Sequence, residues 1–270
     1  MENEIKAPRE FVTTDTHGCY KQLLACLEQA GFDFEIDKLI HLGDVCDRGP
    51  NTFEVVELLL RIKNLVAIKG NHDDWFNVWL RTGKHPGWWL HGGVATIGSY
   101  GEAAKRKVNM FPRNGAFDTD FNSTDVPNTH KQFFRNQLIH HTDDKNRFFC
   151  HAGYDPTKLI DDHDDFEFFW DRELIYKLVD EYREKGTVAN YEDINKFSRV
   201  FIGHTPTISF TKERKGGIID YTLMKPQDFY PATPMYLGQL VDLDTGGCFD
   251  DGKVTLIDIT DDANHITYQA

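Results

Sequence analysis

The chain has 270 residues and a mass of 31.2 kDa, enough for one large domain, and 40% of its residues are hydrophobic. Its formal net charge of −13 disfavours binding to nucleic acid or to an anionic membrane surface, since both attract basic proteins. No apolar segment approaches the roughly 18 residues of a membrane span, and the N-terminal residues are polar. We therefore expect a cytoplasmic, monomeric protein without nucleic-acid or membrane partners.

Five short apolar runs share one pattern, because each ends abruptly in polar residues that can bind a metal. Continuous apolar runs of this length predict strands that are covered on both faces. Functional side chains are then expected to gather where these strands end. The runs are 11–14 before Asp15, 39–42 before Asp44, 65–68 before Asn71, 148–150 before His151 and 200–202 before His204.

Two helical patterns lie between the first three predicted strands. The first runs from about Tyr20 to Ala30, and the second from about Asn51 to Ile62, with Asn51 as a candidate N-cap. The resulting βαβαβ order predicts a partly parallel sheet.

Aromatic residues dominate the segment from about 74 to 145. Trp75 and Trp79 have helical spacing, and Trp88 and Trp89 follow a break rich in glycine and proline. Large aromatic side chains are more often packed than functional, so we interpret this segment as a helical insertion with tryptophans in its core. Direct contact with substrate is the alternative. A further helix is predicted from about 127 to 138.

The C-terminal half predicts one more helix and several strands. The acidic run 161–165 is interpreted as a solvated loop, and a helix is predicted from about Arg172 to Glu184. The runs 235–243 and 253–260 flank a glycine-rich turn at 245–247, which indicates a β-hairpin or meander.

The polar residues at the strand ends form a suitable ligand set for two divalent metal ions. Asp44 is the natural bridge between the two sites, and the other ligands can be divided around it. One site would use Asp15, His17 and Asp44, and the second would use Asp44, Asn71, His151 and His204. Two such ions can share one water and direct the resulting hydroxide at phosphorus, which predicts hydrolysis of a phosphoester.

Four further residues are candidate catalytic groups. His72 follows Asn71 and can protonate the leaving group as a general acid, with Asp47 orienting its imidazole. Arg48 is suited to bidentate capture of phosphate oxygens, and Arg172 is a candidate second cation.

Five motifs in this order resemble the signature blocks of the metallophosphoesterases, specifically the phosphoprotein phosphatase family of bacterial or phage type. They are Asp15-Thr16-His17-Gly18, the block from Gly43 to Gly49, Gly70-Asn71-His72-Asp73, His151-Ala152-Gly153 and Gly203-His204-Thr205-Pro206. The resemblance implies an α/β fold, the four-layer α/β/β/α sandwich of calcineurin-like phosphoesterases, with two mixed sheets flanked by helices. It also implies a dinuclear centre, most often containing manganese, with iron or zinc as alternatives.

The chain departs from the family pattern at a few positions. Asp73 replaces the usual glutamate, and Thr16 and Cys46 replace the usual aliphatic residues. None of the three is a predicted ligand, and for Cys46 only a packing role is evident. We expect one domain over residues 1–270, with the insertion at about 74–145.

The leading interpretation is a metal-dependent phosphomonoester hydrolase acting on phosphoserine or phosphothreonine in proteins, or on phosphotyrosine. The expected partner is thus a phosphorylated protein or a small phosphoester. A diadenosine tetraphosphate hydrolase of the same family is the alternative, and Trp75, Trp88 and Trp89 could then stack on adenine. A non-catalytic scaffold is disfavoured, because it would not need an intact proton donor.

Overall fold

The computed structural model describes residues 7–113, 116–186, 188, 196–210 and 232–270. In these ranges seven α-helices connect or cover the strands. The helices are α1 (Tyr20–Gln29), α2 (Thr52–Leu60), α3 (Asn71–Thr82), α4 (Gly93–Ala103), α5 (Asn128–Asn136), α6 (Asp165–Trp170) and α7 (Glu173–Lys185). The strands are β1 (Glu10–Thr13), β2 (Lys38–His41), β3 (Asn64–Ala67), β4 (Met110–Arg113), β5 (Ala116–Thr119), β6 (His140–Thr142), β7 (Arg147–Cys150), β8 (Arg199–Ile202), β9 (Met235–Leu237), β10 (Leu240–Asp242), β11 (Thr255–Asp258) and β12 (Ile266–Gln269).

The first sheet has the strand order β12-β11-β1-β2-β3. Strands β1, β2 and β3 are parallel, whereas β11 is antiparallel to β1 and β12 to β11. The register places Val12 beside Ile40, and Ile40 beside Val66. The predicted βαβαβ unit is therefore confirmed, and its helices α1 and α2 begin and end close to the expected residues.

The second sheet has the order β6-β7-β8-β10-β9 and is also mixed, with β7, β8 and β10 parallel. The prediction of one hairpin or meander across 235–260 is wrong in its pairing. Strands β9 and β10 form a hairpin in the second sheet, while β11 and β12 form another in the first. The turn at 245–247 thus leads the chain from one sheet to the other.

Alternating side chains in the strands divide the interior into layers. In β7, Phe148 packs with α6 and α7, whereas Phe149 packs between the two sheets. In β1, Phe11 packs with α1 and α2, whereas Val12 faces the second sheet. Successive strand residues point to opposite faces of the sheet, so strands with apolar residues at every position can be packed on both faces. The result is the expected sandwich of two mixed sheets between helices.

The aromatic segment after β3 packs onto the helix-covered side of the first sheet. Trp79 and Trp89 are buried in the same cluster as Phe11 and Leu23, which confirms a core position for these two tryptophans. The segment also contains the antiparallel pair β4 and β5, which the sequence pattern did not predict. The Trp88 side chain lies outside the described residues. Division of the chain into one domain with an insertion stays a prediction.

The acidic run 161–165 is not a solvated loop throughout, because it begins a helix. Asp164 caps α6 by accepting the backbone N–H of Phe166 at 2.9 Å, and Glu167 completes a capping box. Among the described residues, none of the helices is both long and apolar enough to cross a membrane.

Candidate metal centre and active site

The predicted site residues come together where strands of both sheets end. Asp15 follows β1, Asp44 follows β2 and Asn71 begins α3 after β3, while His151 and His204 follow β7 and β8. All five side chains are almost fully buried, with at most 6% of their surface exposed. Buried polar groups of this kind need charged or hydrogen-bonding partners.

The backbone is strained at these positions. Positive φ angles occur at Asp15 (45°), His17 (42°), Asp44 (56°) and His204 (69°), and also at Asp47 and Arg48. Such conformations cost on the order of 1 kcal/mol or more for residues with a side chain and concentrate at functional sites. The tight turns direct these side chains into one shared space.

Glycine allows the carboxylates to approach the neighbouring loops. A Cβ atom at Gly70 would collide with the Asp44 carboxylate, and one at Gly203 would collide with Asp15 and Thr14. These two glycines explain part of the motif pattern, since any side chain there would fill the space that the carboxylates occupy.

One group of candidate ligands surrounds His17. Its Nε2 lies 3.5 Å from Asp44 Oδ2 and 3.8 Å from Asp15 Oδ1. Its Nδ1 donates to the Cys46 carbonyl at 2.8 Å, which leaves the Nε2 lone pair directed into the site. The contribution of Cys46 is therefore its backbone carbonyl. Burial raises the pKa of the Cys46 thiol well above its usual range, which disfavours a thiolate role.

A second group surrounds His151, whose Nδ1 donates to the Leu42 carbonyl at 3.0 Å. The opposite nitrogen, Nε2, lies 3.1 Å from Asn71 Oδ1 and 3.5 Å from Asp44 Oδ1. Burial lowers the pKa of His151, so the ring is neutral and Nε2 is an acceptor facing oxygen acceptors. Nε2 of His204 is buried without a hydrogen-bond partner among the described residues. Acceptors that converge without a donor fit a bound cation.

The carboxylates fit the same conclusion. Asp44 belongs to both groups, His17–Asp44–His72 and Asp44–His151–His204, each with ligand atoms within 4.8 Å of one another. Burial and the neighbouring charges of Asp15 and Asp73 raise the pKa of Asp44 well above its usual range. Divalent cations would relieve this repulsion, and imidazole with carboxylate and amide oxygens is a suitable donor set for them.

His72, which belongs to the first of these groups, forms a buried pair with Asp47. His72 Nδ1 lies 2.8 Å from Asp47 Oδ2. The same carboxylate accepts the Trp89 indole N–H at 3.0 Å and the Thr96 hydroxyl at 2.5 Å. Burial raises the pKa of Asp47 to about 7, although these hydrogen bonds act in the opposite direction. Sequence reasoning missed Trp89 and Thr96 because both come from the distant aromatic segment.

Two arginines contact residues of the site. Arg48 Nη1 lies 2.8 Å from His17 Nε2, and Arg48 Nη2 lies 3.2 Å from His72 Nε2. Arg172 reaches the loop of His204, where its Nη1 donates to the Thr205 hydroxyl at 3.0 Å. The structure therefore places both predicted cations next to the candidate ligands. Thr205 was not predicted as a partner of Arg172.

Asp73, the departure from the family motif, links three loops of the site. Its carboxylate accepts backbone N–H groups of Val45 at 2.9 Å and Gly70 at 3.2 Å, and the side-chain amide of Gln137 at 2.8 Å. Burial raises its pKa to about 6. Asp73 thus fixes the turn that contains Asp44 without facing the ligand groups itself.

Comparison with curated proteins finds two kinds of relatives. The chain is 38% identical over 71 residues to the symmetrical bis(5′-nucleosyl)-tetraphosphatase of Coxiella burnetii, which covers 26% of this chain and 24% of that protein. It is also 38% identical over 63 residues to serine/threonine-protein phosphatase 1 of Salmonella typhimurium, covering 23% of this chain and 29% of that protein. The chain thus matches only about a quarter of the length of these relatives.

Solved structures resemble the chain over its whole length. A protein provisionally described as a diadenosine tetraphosphatase superposes with a TM-score of 0.60 at 18% identity, covering 100% of this chain and 96% of that one. At this identity the likeness concerns the fold. The family model for calcineurin-like phosphoesterases matches residues 10–207, more than half of the chain. This chain therefore belongs to the calcineurin-like phosphoesterase family, whose members are metal-dependent hydrolases.

Proposed function

We propose that the chain hydrolyses dinucleoside polyphosphates at a dinuclear metal centre. The observation that carries the proposal is the convergence of two groups of possible ligands on Asp44, with His72 of the first group held by Asp47. Asp15, His17 and Asp44 would hold one ion, and Asp44, Asn71, His151 and His204 would hold the other. Two bound divalent ions would activate water as a nucleophile and neutralise charge on the phosphate oxygens.

Arg48 would bind the non-reacting phosphate oxygens. Its guanidinium lies against lone pairs of His17 and His72, and a bound phosphate is a stronger partner for it than a neutral imidazole. Once ions occupy the ligand groups, Nε2 of His17 is no longer available to Arg48. The guanidinium is then free to contact the substrate.

His72 would protonate the leaving oxygen. In the structure burial and the positive charge of Arg48 lower the pKa of His72 well below its usual range. A phosphate bound to Arg48 offsets that charge, and Asp47 stabilises the protonated imidazole at 2.8 Å. Substrate binding would therefore favour the form of His72 that can donate a proton.

Two features support a dinucleoside polyphosphate. Arg48 lies at His17 and His72, whereas Arg172 lies at the loop of His204, so the site offers two cations to a chain of several phosphates. The Coxiella burnetii relative also has this activity in its name. Hydrolysis of phosphoserine or phosphothreonine in proteins is the second candidate, favoured by the equally identical Salmonella typhimurium relative.

A substrate panel with one metal-loaded preparation tests the proposal. It contains diadenosine tetraphosphate, phosphoserine, phosphothreonine and phosphotyrosine peptides, and bis(p-nitrophenyl) phosphate. We expect kcat/KM for diadenosine tetraphosphate to exceed that for each phosphopeptide by about tenfold or more, since the substrate with more bound groups gains more transition-state stabilisation. Chromatography should show ADP as the sole product if cleavage is symmetrical. A higher kcat/KM for a phosphopeptide would instead support the protein phosphatase.

A further inference from the structure

An aromatic surface runs outward from the candidate metal centre. Trp75 lies 4.7 Å from the ring of His72, and Trp170 lies 5.7 Å from the ring of His204, measured between centroids. The two tryptophans are themselves 5.4 Å apart. Phe166 continues the series at 5.7 Å from Trp170, with only 28° between the two ring planes. We call these three side chains the Trp75–Trp170–Phe166 surface.

The arrangement follows from two helices. Phe166 and Trp170 are four residues apart on α6, so they share one face of that helix. Trp75 is on α3, one turn after His72. Trp75 and Trp170 are half-buried, whereas Phe166 is 62% exposed. The surface therefore begins beside catalytic candidates and ends in solvent, unlike Trp79 and Trp89, which are fully packed in the core.

A cation accompanies the surface. Arg172 follows Trp170 by two residues, and its guanidinium donates a hydrogen bond to the hydroxyl of Thr205, the residue directly after His204. Aromatic rings next to a phosphate-binding cation can hold the two parts of a nucleotide, since bases stack on aromatic side chains and arginine binds phosphate. The acidic chain as a whole offers no comparable reason to attract a polynucleotide.

We propose that the Trp75–Trp170–Phe166 surface binds one nucleobase of the substrate while its phosphates lie at the metal centre. This inference rests on the proposed function and names the specificity-determining residues within it. The base stacks against Trp170 and Phe166, and the attached phosphates extend past Arg172 toward His204. A phosphoserine or phosphothreonine peptide would leave this exposed ring surface without a planar partner from the phosphorylated residue.

The experiment measures binding and turnover with metal-loaded protein. Binding of adenosine 5′-monophosphate and of inorganic phosphate is followed by tryptophan fluorescence and calorimetry. Turnover of diadenosine tetraphosphate is compared with that of inorganic tetrapolyphosphate, which has no base. The variants are Phe166→Ala and Trp170→Leu, and the control is Tyr182→Ala. Tyr182 is an exposed aromatic residue on α7, about 14 Å along the helix axis from the first residue of that helix.

We expect Phe166→Ala and Trp170→Leu to lower the affinity for the nucleotide by about tenfold relative to phosphate, the usual scale of one lost stacking contact. The ratio of kcat/KM for the dinucleotide to kcat/KM for tetrapolyphosphate should fall by a similar factor, and Tyr182→Ala should leave both ratios as they are. Because Trp170 also packs against the core of the second sheet, the exposed Phe166 decides the result if the Trp170 variant is unstable.

If wild type and Phe166→Ala have the same ratio of nucleotide to phosphate affinity and the same ratio of dinucleotide to tetrapolyphosphate kcat/KM, the inference is overturned, even if the enzyme hydrolyses the dinucleotide. Tighter binding of the nucleotide that depends on Phe166, without any turnover of the dinucleotide, would support the surface and contradict the proposed function. If Phe166→Ala loses affinity for a phosphotyrosine peptide to the same extent, the surface binds a tyrosine ring, and its assignment to a nucleobase is overturned.

Discussion

At the scale of single residues, His72 has two chemically reasonable roles. The sequence predicts a site of Asp15, His17 and Asp44, and in the structure a ring nitrogen of His72 also lies within 4.8 Å of ligand atoms of His17 and Asp44. Its Nε2 is 4.0 Å from Asp44 Oδ2, whereas its Nδ1 is 2.8 Å from Asp47. A carboxylate behind an imidazole can support either a proton donor or a metal ligand. Metal content and leaving-group dependence separate these roles.

His72→Asn should keep both metals and lose activity according to the leaving group. For a phosphoserine peptide, whose alkoxide needs protonation, we expect kcat to fall by about two to four orders of magnitude. The loss should be smaller for p-nitrophenyl phosphate, because nitrophenolate leaves without a proton. Steady-state kinetics and elemental analysis of the purified variant measure both effects.

His141→Asn is the control, since His141 is on edge strand β6 and outside both ligand groups. Loss of one metal from His72→Asn would make His72 a ligand. An equal loss of activity on both substrates would remove its role as an acid.

At the scale of elements, single polar side chains fix the ends of the strands. Asp37, directly before β2, is fully buried and accepts the backbone N–H of Arg9 at 3.0 Å and its Nη2 at 2.7 Å. It also accepts the backbone N–H of Asp33 at 2.9 Å. These contacts join the beginnings of β1 and β2, whose opposite ends lead into the loops of Asp15 and Asp44. Burial acts to raise the pKa of Asp37, but the hydrogen bonds from Arg9 and Asp33 outweigh it and the pKa is lowered.

Asp37→Asn should reduce the free energy of unfolding by about 2 kcal/mol at pH 7, the scale of hydrogen bonds to a charged group. A lowered carboxyl pKa contributes stability that is present above the unfolded value of about 3.9 and is lost as the pH falls through the folded value. The difference in free energy of unfolding between variant and wild type should therefore be smaller at pH 3 than at pH 7. Urea denaturation followed by circular dichroism at both pH values measures this.

Asp118→Asn is the matched control, because the ion pair of Asp118 with Arg113 is exposed and should contribute less than about 1 kcal/mol. If Asp37→Asn lowers the free energy of unfolding by the same amount at pH 3 and pH 7, the charge of the Asp37 carboxylate is not involved.

At the scale of the whole molecule, acidic side chains concentrate where strands of both sheets end. Asp15, Asp44, Asp73, Asp242 and Asp244 are all buried. Burial and the charge of Asp15 raise the pKa of Asp244, while burial and the charge of Asp244 raise that of Asp242. Carboxyl groups with raised pKa values destabilise the folded state as the pH rises. Bound cations would reverse this effect and connect the loops of both sheets.

Removing the metals should therefore lower both activity and stability. Chelation should abolish hydrolysis of p-nitrophenyl phosphate, and Mn²⁺ should restore it and raise Tm by about 5 °C or more at saturating concentration. Differential scanning calorimetry with and without chelator measures the shift. Asp44→Asn should lose most of the shift and, without metal, should be at least as stable as wild type, because it removes a buried charge. Unchanged Tm and full activity after chelation would contradict a metal centre.

The sequence by itself determined the ligand candidates and a partly parallel sheet, and the resemblance of its motifs to a known family implied the four-layer sandwich. Apolar runs that stop at Asp15, Asp44, Asn71, His151 and His204 are local patterns, and parallel strands bring their ends to one edge whatever lies between them. Short strands before charged residues therefore indicated both the sheets and the site. The same local reasoning could not assign 253–260 to the first sheet, because pairing depends on contacts between distant segments.

Only the tertiary structure decided which partners hold the site and where a substrate could extend. Trp89 and Thr96 reach Asp47 across more than 40 residues, and Thr205 reaches Arg172 across 33. The sequence pattern did not distinguish the tryptophans, yet packing buried Trp79 and Trp89 and left Trp75 beside Trp170 at the candidate metal centre. Trp75 and Trp79 are four residues apart on α3, so their different exposure reflects what packs against each turn of that helix, and contacts of this kind come from distant parts of the chain.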